Sequence, residues 1–258
     1  MWFRIKSFLL FLIKSTNQHG VHSPFVYKLI TKCFYKKTDA TKFNKFLNVK
    51  KWLLNNNKTI TVIDFGKGSK VFNSNTRKVK DIAKVAGIST KKAKLLIRLI
   101  DYFAPNTLLE IGTSVGLGTS AIAIASNNLI ITTLEGCPST NTIAKNVFKQ
   151  FSFNGIKQVE GNFSNTLNNE VSNQHFDIVY FDGNHQKKPT LDYFNTCLKN
   201  ITNDSIFIFD DINWSKEMLE TWEEIKKHPT VTVTINTYFW GIVFFRKEQK
   251  KQHFTIRV

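Results

Sequence analysis

Three groups of residues have types and spacings suited to chemistry. The first is Glu110-Ile-Gly112-Thr113-Ser114-Val-Gly116-Leu-Gly118-Thr119, a glycine-rich turn between an apolar run and a helix-forming stretch. Glycines at such a turn let a ligand approach the backbone, and the first N–H groups of the following helix are left to meet an anion. The second is Glu135, which ends the next apolar run 23 residues after Gly112. An acid at that distance, at the tip of an adjacent strand, is positioned to accept hydrogen bonds from ribose hydroxyls. Together they predict a nucleoside ligand. The third group is Asp182, Asp210 and Asp211, which follow two later apolar runs. Adjacent parallel strands release their loops at one sheet edge, so the three carboxylates are expected to converge there. Carboxylates in one place repel unless a proton or cation compensates, and a hard divalent ion such as Mg2+ accepts oxygen ligands of this kind.

These groups need strands and helices to position them. Thr107–Ile111, Ile130–Leu134, Ile156–Glu160, Ile178–Phe181 and Ile206–Phe209 read as strands, alternating with helices near Thr119–Ser126, Thr140–Phe151, Pro189–Lys199 and Lys216–Lys227. That alternation predicts βαβ units and a parallel sheet. Thr230–Ile235 and Gly241–Arg246, separated only by a turn, predict an antiparallel C-terminal hairpin. The fold class expected is therefore α/β, a doubly wound, seven-stranded, mostly parallel sheet. Upstream, Ser89 can cap a helix running to Phe103, with Ala93, Leu96, Ile97 and Ile100 as its apolar stripe. Thr59–Phe65 reads as a short strand followed by Asp64-Phe-Gly66-Lys-Gly68-Ser69. This second Asp/Gly turn leads into a poor helix start and has no acid-tipped strand at the right distance, so it reads as a loop.

From about Asn106 to Arg246 the chain resembles the class I S-adenosylmethionine-dependent methyltransferases, and within them is similar to small-molecule O-methyltransferases of the catechol and macrolide-sugar type. The matching pieces, in order, are LLEIGTSVGLGTS, TLEGCP, Gly161-Asn162-Phe163, DIVYFDGNH and IFIFDD. The resemblance implies that Gly112, Thr113, Ser114 and Gly116, with Glu110 before them, hold the methionine portion of S-adenosylmethionine. It implies that Glu135 holds the ribose, that Gly136-Cys137 and Asn162-Phe163 flank the adenine, and that Asp182 also reaches the cofactor. It further implies a divalent metal at Asp182, Asp210 and Asp211. Where the catechol-type enzymes carry a base three residues after the first metal acid, this chain has His185 in place of lysine. An imidazole with an ordinary pKa of about 6.5 can accept a proton at neutral pH, and Lys187 and Lys188 stand close behind as substitutes.

The chain has 258 residues and a formal net charge of +17. Residues 1–100 hold 22 Lys and Arg against three acids, whereas residues 101–258 hold 14 against 16. The expected organisation is a basic, mainly helical extension over 1–104 and a cofactor-binding domain over 105–258. The basic half invites an RNA or DNA methyltransferase as an alternative, but 31 of the 36 basic residues are Lys, and Arg is the better marker of phosphate or base recognition. The slightly acidic cofactor half points instead to a small-molecule acceptor. Residues 1–14, with the spacing of Phe3, Leu10 and Lys14, predict an amphipathic helix with a basic face, too short to span a bilayer. Packing on its own domain is the first expectation for it; weak peripheral membrane contact is the other, and with it comes a second alternative, a non-catalytic cofactor-binding protein at a membrane surface. Cys33, Cys137 and Cys197 are odd in number and far apart, which suits a reducing cytoplasm. Trp214 and Trp240 are candidates to wall an aromatic pocket, with core packing as the commoner fate of such residues. The composition leaves oligomeric state open.

Overall fold

The computed structural model describes residues 2–63 and 74–258. In chain order, α1 (Trp2–Lys14) and α2 (Pro24–Leu29) are followed by a π-helical turn (Ile30–Phe34) and α3 (Ala40–Leu54). Next come β1 (Thr59–Thr61), β2 (Thr76–Lys78), α4 (Val79–Val85) and α5 (Thr90–Phe103). The alternating part runs β3 (Thr107–Ile111), α6 (Leu117–Ala125), β4 (Ile130–Glu135), α7 (Pro138–Gln150), β5 (Ile156–Glu160) and α8 (Phe163–Asn173). It continues with β6 (Ile178–Phe181), α9 (Lys187–Cys197), β7 (Ile206–Asp210) and α10 (Lys216–Lys227). The last strands are β8 (Val233–Asn236), β9 (Trp240–Phe244) and β10 (Gln252–Thr255). The chain forms two compact units, Lys36–Thr166 and Met1–Tyr35 with Leu167–Val258.

In the Lys36–Thr166 unit, β3 pairs in parallel with β4 from Thr107↔Ile130, and β4 in parallel with β5 from Ile131↔Ile156. Leu108, Leu109 and Ile111 of β3 are fully buried, as expected for a parallel strand covered on both faces. α5 begins where its sequence says it should: the Ser89 hydroxyl accepts from the Lys92 N–H, and Ala104 closes the helix in the left-handed conformation (φ 45). The basic excess of this unit is partly structural. Lys42 Nζ donates to the Asp101 carboxylate and, at 2.6 Å, to the Ala125 carbonyl, joining α3 to the ends of α5 and α6. Arg98 donates to the Lys36 carbonyl at 2.7 Å, and the Lys94 ammonium sits 4.2 Å from the Phe43 ring centroid.

In the other unit, β6 and β7 pair in parallel from Ile178↔Ile206, and every residue of both strands is buried. β9 runs antiparallel to both β7 and β8, so the expected hairpin is present. A Cβ at Gly241 of β9 would collide with the Trp222 ring, which is itself buried, so α10 lies against β9 only because that strand position is glycine. β10 then adds in parallel to β8 from Gln252↔Val233.

The α/β class, the mostly parallel strands and the antiparallel C-terminal pair agree with expectation. From β3 to β10 there are eight strands among the described residues, where seven are expected. β10 (Gln-His-Phe-Thr) has no apolar run to announce it, and its pairing with β8 supplies what its side chains do not. α8 is absent from the sequence reading because its stretch is polar, burying only Leu167, Glu170 and Val171. The strand expected over Thr59–Phe65 is shorter, ending at Thr61, and pairs with β2 from Thr59↔Lys78. The turn Asp64–Ser69 lies outside the described residues.

Candidate active site

The site residues fall into two groups, one in each unit. In Lys36–Thr166 the chain leaves β3 through Gly112 (φ 111), Ser114 (φ 51) and Gly116 (φ 82), three left-handed or near-left-handed positions in five residues. Two are glycine, and a Cβ at Gly116 would also stand 2.9 Å from the Phe148 ring. The Gly112 and Thr113 N–H groups donate to the Leu134 carbonyl at 3.0 and 3.1 Å, and the Gly116 N–H donates to Thr113 O at 2.9 Å. The turn is thereby tied to the end of β4 and folded onto the start of α6. Gly116 caps α6 with no side chain, so the first N–H groups of the helix meet no residue of the usual capping kind.

Glu135 closes the other side. Its Oε2 accepts from the Ser114 N–H at 2.6 Å and its Oε1 from the Cys137 N–H at 2.8 Å. Burial pushes the Glu135 carboxyl up, and hydrogen bonds from the Cys137 and Ser114 N–H groups draw it back. The Glu135 carbonyl accepts from the Gly161 N–H at 2.9 Å, which brings Asn162 and Phe163 to the same end of the strands. Asn162 is exposed and caps α8, its Oδ1 accepting from the Ser164 N–H at 3.0 Å.

Glu110 and Thr113, expected among the cofactor contacts, lie beneath the turn. Glu110 is fully buried; its Oε2 accepts from the hydroxyls of Thr119 on α6 and Thr133 on β4, while Oε1 has no hydrogen-bond partner among the described residues. Desolvation raises its carboxyl to about 7 against these two hydrogen bonds, and the nearby Glu135 charge adds to the rise. A Cβ at Gly118 would come within 2.8 Å of Glu110 Oε1, so that glycine makes room for the carboxylate. The Thr113 hydroxyl donates to the Leu134 carbonyl at 3.1 Å. Cys137 is buried, its sulfur accepting from the Ile63 N–H at 3.3 Å. This brings Ile63, half exposed, against the segment that follows Glu135; only the sulfur contact reveals it, since nothing in its sequence context marks it.

In the second unit β6 opens into a loop held by Asn184 in the left-handed conformation (φ 50). Asn184 Nδ2 donates to the Tyr193 hydroxyl at 3.3 Å, and Gln186 Nε2 donates to Asn184 Oδ1 at 2.9 Å. The loop holds His185 Nε2 4.0 Å from Asp182 Oδ1, with both side chains partly exposed. The substitute bases are occupied: Lys187 pairs with Glu224 at 3.0 Å and Lys188 with Asp192 at 2.9 Å. Asp210 is the last residue of β7 and buried, while Asp211 is half-buried at φ 53, so the chain turns sharply between the two carboxylates. Among the described residues no three His, Cys, Asp or Glu side chains are grouped to hold a metal ion. Trp240 is fully buried, edge-on to Tyr180 at 5.8 Å, and belongs to the core. Trp214 instead stacks under Arg4, whose guanidinium carbon lies 4.3 Å from the ring centroid. Asn213, unmarked in the sequence, is buried; it accepts from the Ser7 hydroxyl at 2.7 Å and donates to the Tyr238 carbonyl at 2.6 Å.

Residues 109–212 match the family profile described as "Methyltransferase domain". This stretch is an S-adenosylmethionine-dependent methyltransferase domain. It begins inside β3 and ends just past Asp211, so it takes in the glycine turn, Glu135 and the Asp182–His185 loop. No curated protein matches the chain. Among solved structures it is similar to a SAH-bound methyltransferase of Podospora anserina (TM-score 0.62, 15% identity, covering 88% of this chain and 98% of that one). It is also similar to an O-methyltransferase of Streptomyces achromogenes involved in tomaymycin synthesis, in complex with SAM (0.56, 16%, 90% and 99%). An O-methyltransferase of Bacillus cereus in complex with SAH scores 0.55 at 18% identity, covering 80% and 91%. These likenesses carry the shared fold of the methyltransferase domain. No helix among the described residues is long and apolar enough to cross a membrane, and Cys33, Cys137 and Cys197 are buried and form no disulfide among the described residues.

Proposed function

We propose that this protein transfers the methyl group of S-adenosylmethionine to a hydroxyl of a small molecule in the cytoplasm. The observation that carries the reading is the Glu135 carboxylate held by the Ser114 and Cys137 N–H groups, beside a glycine turn whose helix has no side-chain cap. The cofactor, when bound, supplies an electrophilic methyl carbon on a sulfonium. Glu135 accepts hydrogen bonds from the ribose hydroxyls. The first N–H groups of α6 take the methionine carboxylate. Ile63, Cys137 and Phe163 give the adenine its apolar surroundings.

His185 then accepts the proton of the acceptor hydroxyl as the oxygen bonds to the methyl carbon and the carbon–sulfur bond breaks. Asp182, 4.0 Å away, stabilises the imidazolium that forms. The reading routes no step through a divalent ion, in keeping with the absence of a three-residue ligand group among the described residues. The division at residue 104 is proposed as one of function: residues 105–258 perform the transfer and residues 1–104 shape what is accepted. The shared fold with O-methyltransferases supports the choice of oxygen.

Calorimetric titration with SAH tests the reading. We expect saturable binding by the wild type, a loss of about tenfold or more for Glu135→Ala, and unchanged affinity for His185→Gln. With a panel of hydroxylated acceptors, His185→Gln is expected to lower kcat by about 100-fold, a typical contribution of a general base. EDTA is expected to leave turnover unchanged. Absence of SAH binding would remove the enzyme reading, and turnover abolished by EDTA and restored by Mg2+ would remove the metal-free one.

A further inference from the structure

α1 turns its apolar side outward. Ser7 and Phe11 are its buried residues. Ser7 donates to Asn213, the Phe8 and Phe11 rings meet Tyr238 at 4.9 and 5.5 Å, and the Tyr238 hydroxyl donates to the Arg4 carbonyl at 3.0 Å. On the opposite side Trp2 is 83% exposed, Ile5 47%, Leu9 54% and Ile13 80%. At 3.6 residues per turn these four fall within an arc of about 80°. A helix that packs on its own domain does the reverse, burying its apolar stripe.

We propose that this face of α1 docks on an anionic phospholipid surface, with the helix lying in the plane of the bilayer interface. Its apolar ridge enters the headgroup–acyl boundary and Lys6, at the edge of that ridge, meets lipid phosphates. Charge favours this occupant: residues 2–35 carry Arg4, Lys6, Lys14, Lys28 and Lys32 and no carboxylate. Lys6 follows Ile13 around the helix, at the edge of the ridge. A second copy fits poorly, since each chain carries +17. The outward ridge also offers on the order of 500 Å², below the roughly 800 Å² that each partner gives a standard interface. Spanning is excluded by length, as 13 residues reach about 20 Å of the roughly 30 Å hydrocarbon core. The contact stands independently of the methyl-transfer reading.

Flotation of the full chain with phosphatidylcholine vesicles, with and without phosphatidylserine, tests it. We expect binding to the serine-containing vesicles, weakening as salt rises, and little to phosphatidylcholine alone. The triple substitution Ile5→Asp, Leu9→Asp, Ile13→Asp should reduce the partition coefficient about tenfold or more while leaving the melting temperature unchanged. Trp2→Phe should remove a vesicle-induced blue shift of tryptophan emission present in the wild type. The proposal is overturned if anionic vesicles are not bound at low salt, or if the triple variant and the Trp2→Phe variant both behave as wild type. It is equally overturned if light scattering finds a dimer that this triple substitution dissociates.

Discussion

Replacing Glu110 by Gln should make the protein's stability less sensitive to pH, and the structure gives the size of the effect. The wild-type carboxyl is fully buried, and desolvation raises it from 4.5 to about 7. Below pH 4.5 the group is protonated whether the chain is folded or not, and its burial carries no charge penalty. Between pH 4.5 and 7 the unfolded chain gives up this proton while the folded chain keeps it, so stability falls as pH rises. Above pH 7 both states are ionised and the loss is complete, about 3 kcal/mol for a shift of about 2.5 units. Gln keeps an acceptor for the Thr119 and Thr133 hydroxyls but does not titrate, so it imitates the protonated acid. The difference in unfolding free energy between wild type and variant should therefore move by about 2.5 kcal/mol between pH 5 and pH 8, Gln gaining as pH rises. Urea denaturation at several pH values, with the slope checked for constancy, measures this difference while cancelling the other titrating groups. Because Glu110 lies beneath the turn, SAH affinity should change little in the same variant. A pH-independent difference would refute the desolvation argument, and a large loss of SAH affinity would show that the Glu110 charge reaches the ligand.

Two further substitutions probe the scaffold. Gly241→Ala puts a Cβ against a Trp222 ring that is 1% exposed and has no room to move, so it should destabilise by about 1–3 kcal/mol, read as a lower urea midpoint; an unchanged midpoint would mean the ring can shift. Lys42→Met removes the links to Asp101 and Ala125 O while keeping the aliphatic stem, and at this partly exposed site should cost about 1 kcal/mol. A midpoint that stays put in that variant would return Lys42 to the pool of solvent-facing charge.

Much of the site was legible before any coordinates because its signals are local. The glycine turn, Glu135 and the acids after β6 and β7 stand at fixed distances from apolar runs, and the positive φ of Gly112 and Gly116 is what those glycines are for. The same holds for α5, whose Ser89 cap and apolar stripe are written in neighbouring residues. Elements stabilised by partners far away in the chain left no such mark. α8 and β10 are polar stretches given their form by what they pack and pair with. Ile63 and Asn213 gain their positions from Cys137, Ser7 and Tyr238, at separations of 74, 206 and 25 residues.

What the amino-acid sequence by itself determined is the α/β alternation and the order of the cofactor motifs, since hydrophobic period and turn residues act over a few positions. Only tertiary structure decided the roles. Glu110 and Thr113 are buried beneath the turn, hydrogen-bonded to Thr133 and to the Leu134 carbonyl. Lys187 and Lys188 are paired with Glu224 and Asp192, partners no local pattern announces. Asp210 is buried at the end of β7 and Asp211 follows it with a positive φ, a conformation no sequence pattern announces. The amphipathic pattern of α1 was plain from its residues, but which side faces outward was not. Asn213 and Tyr238 hold the narrow side, and so the apolar ridge is the one left exposed.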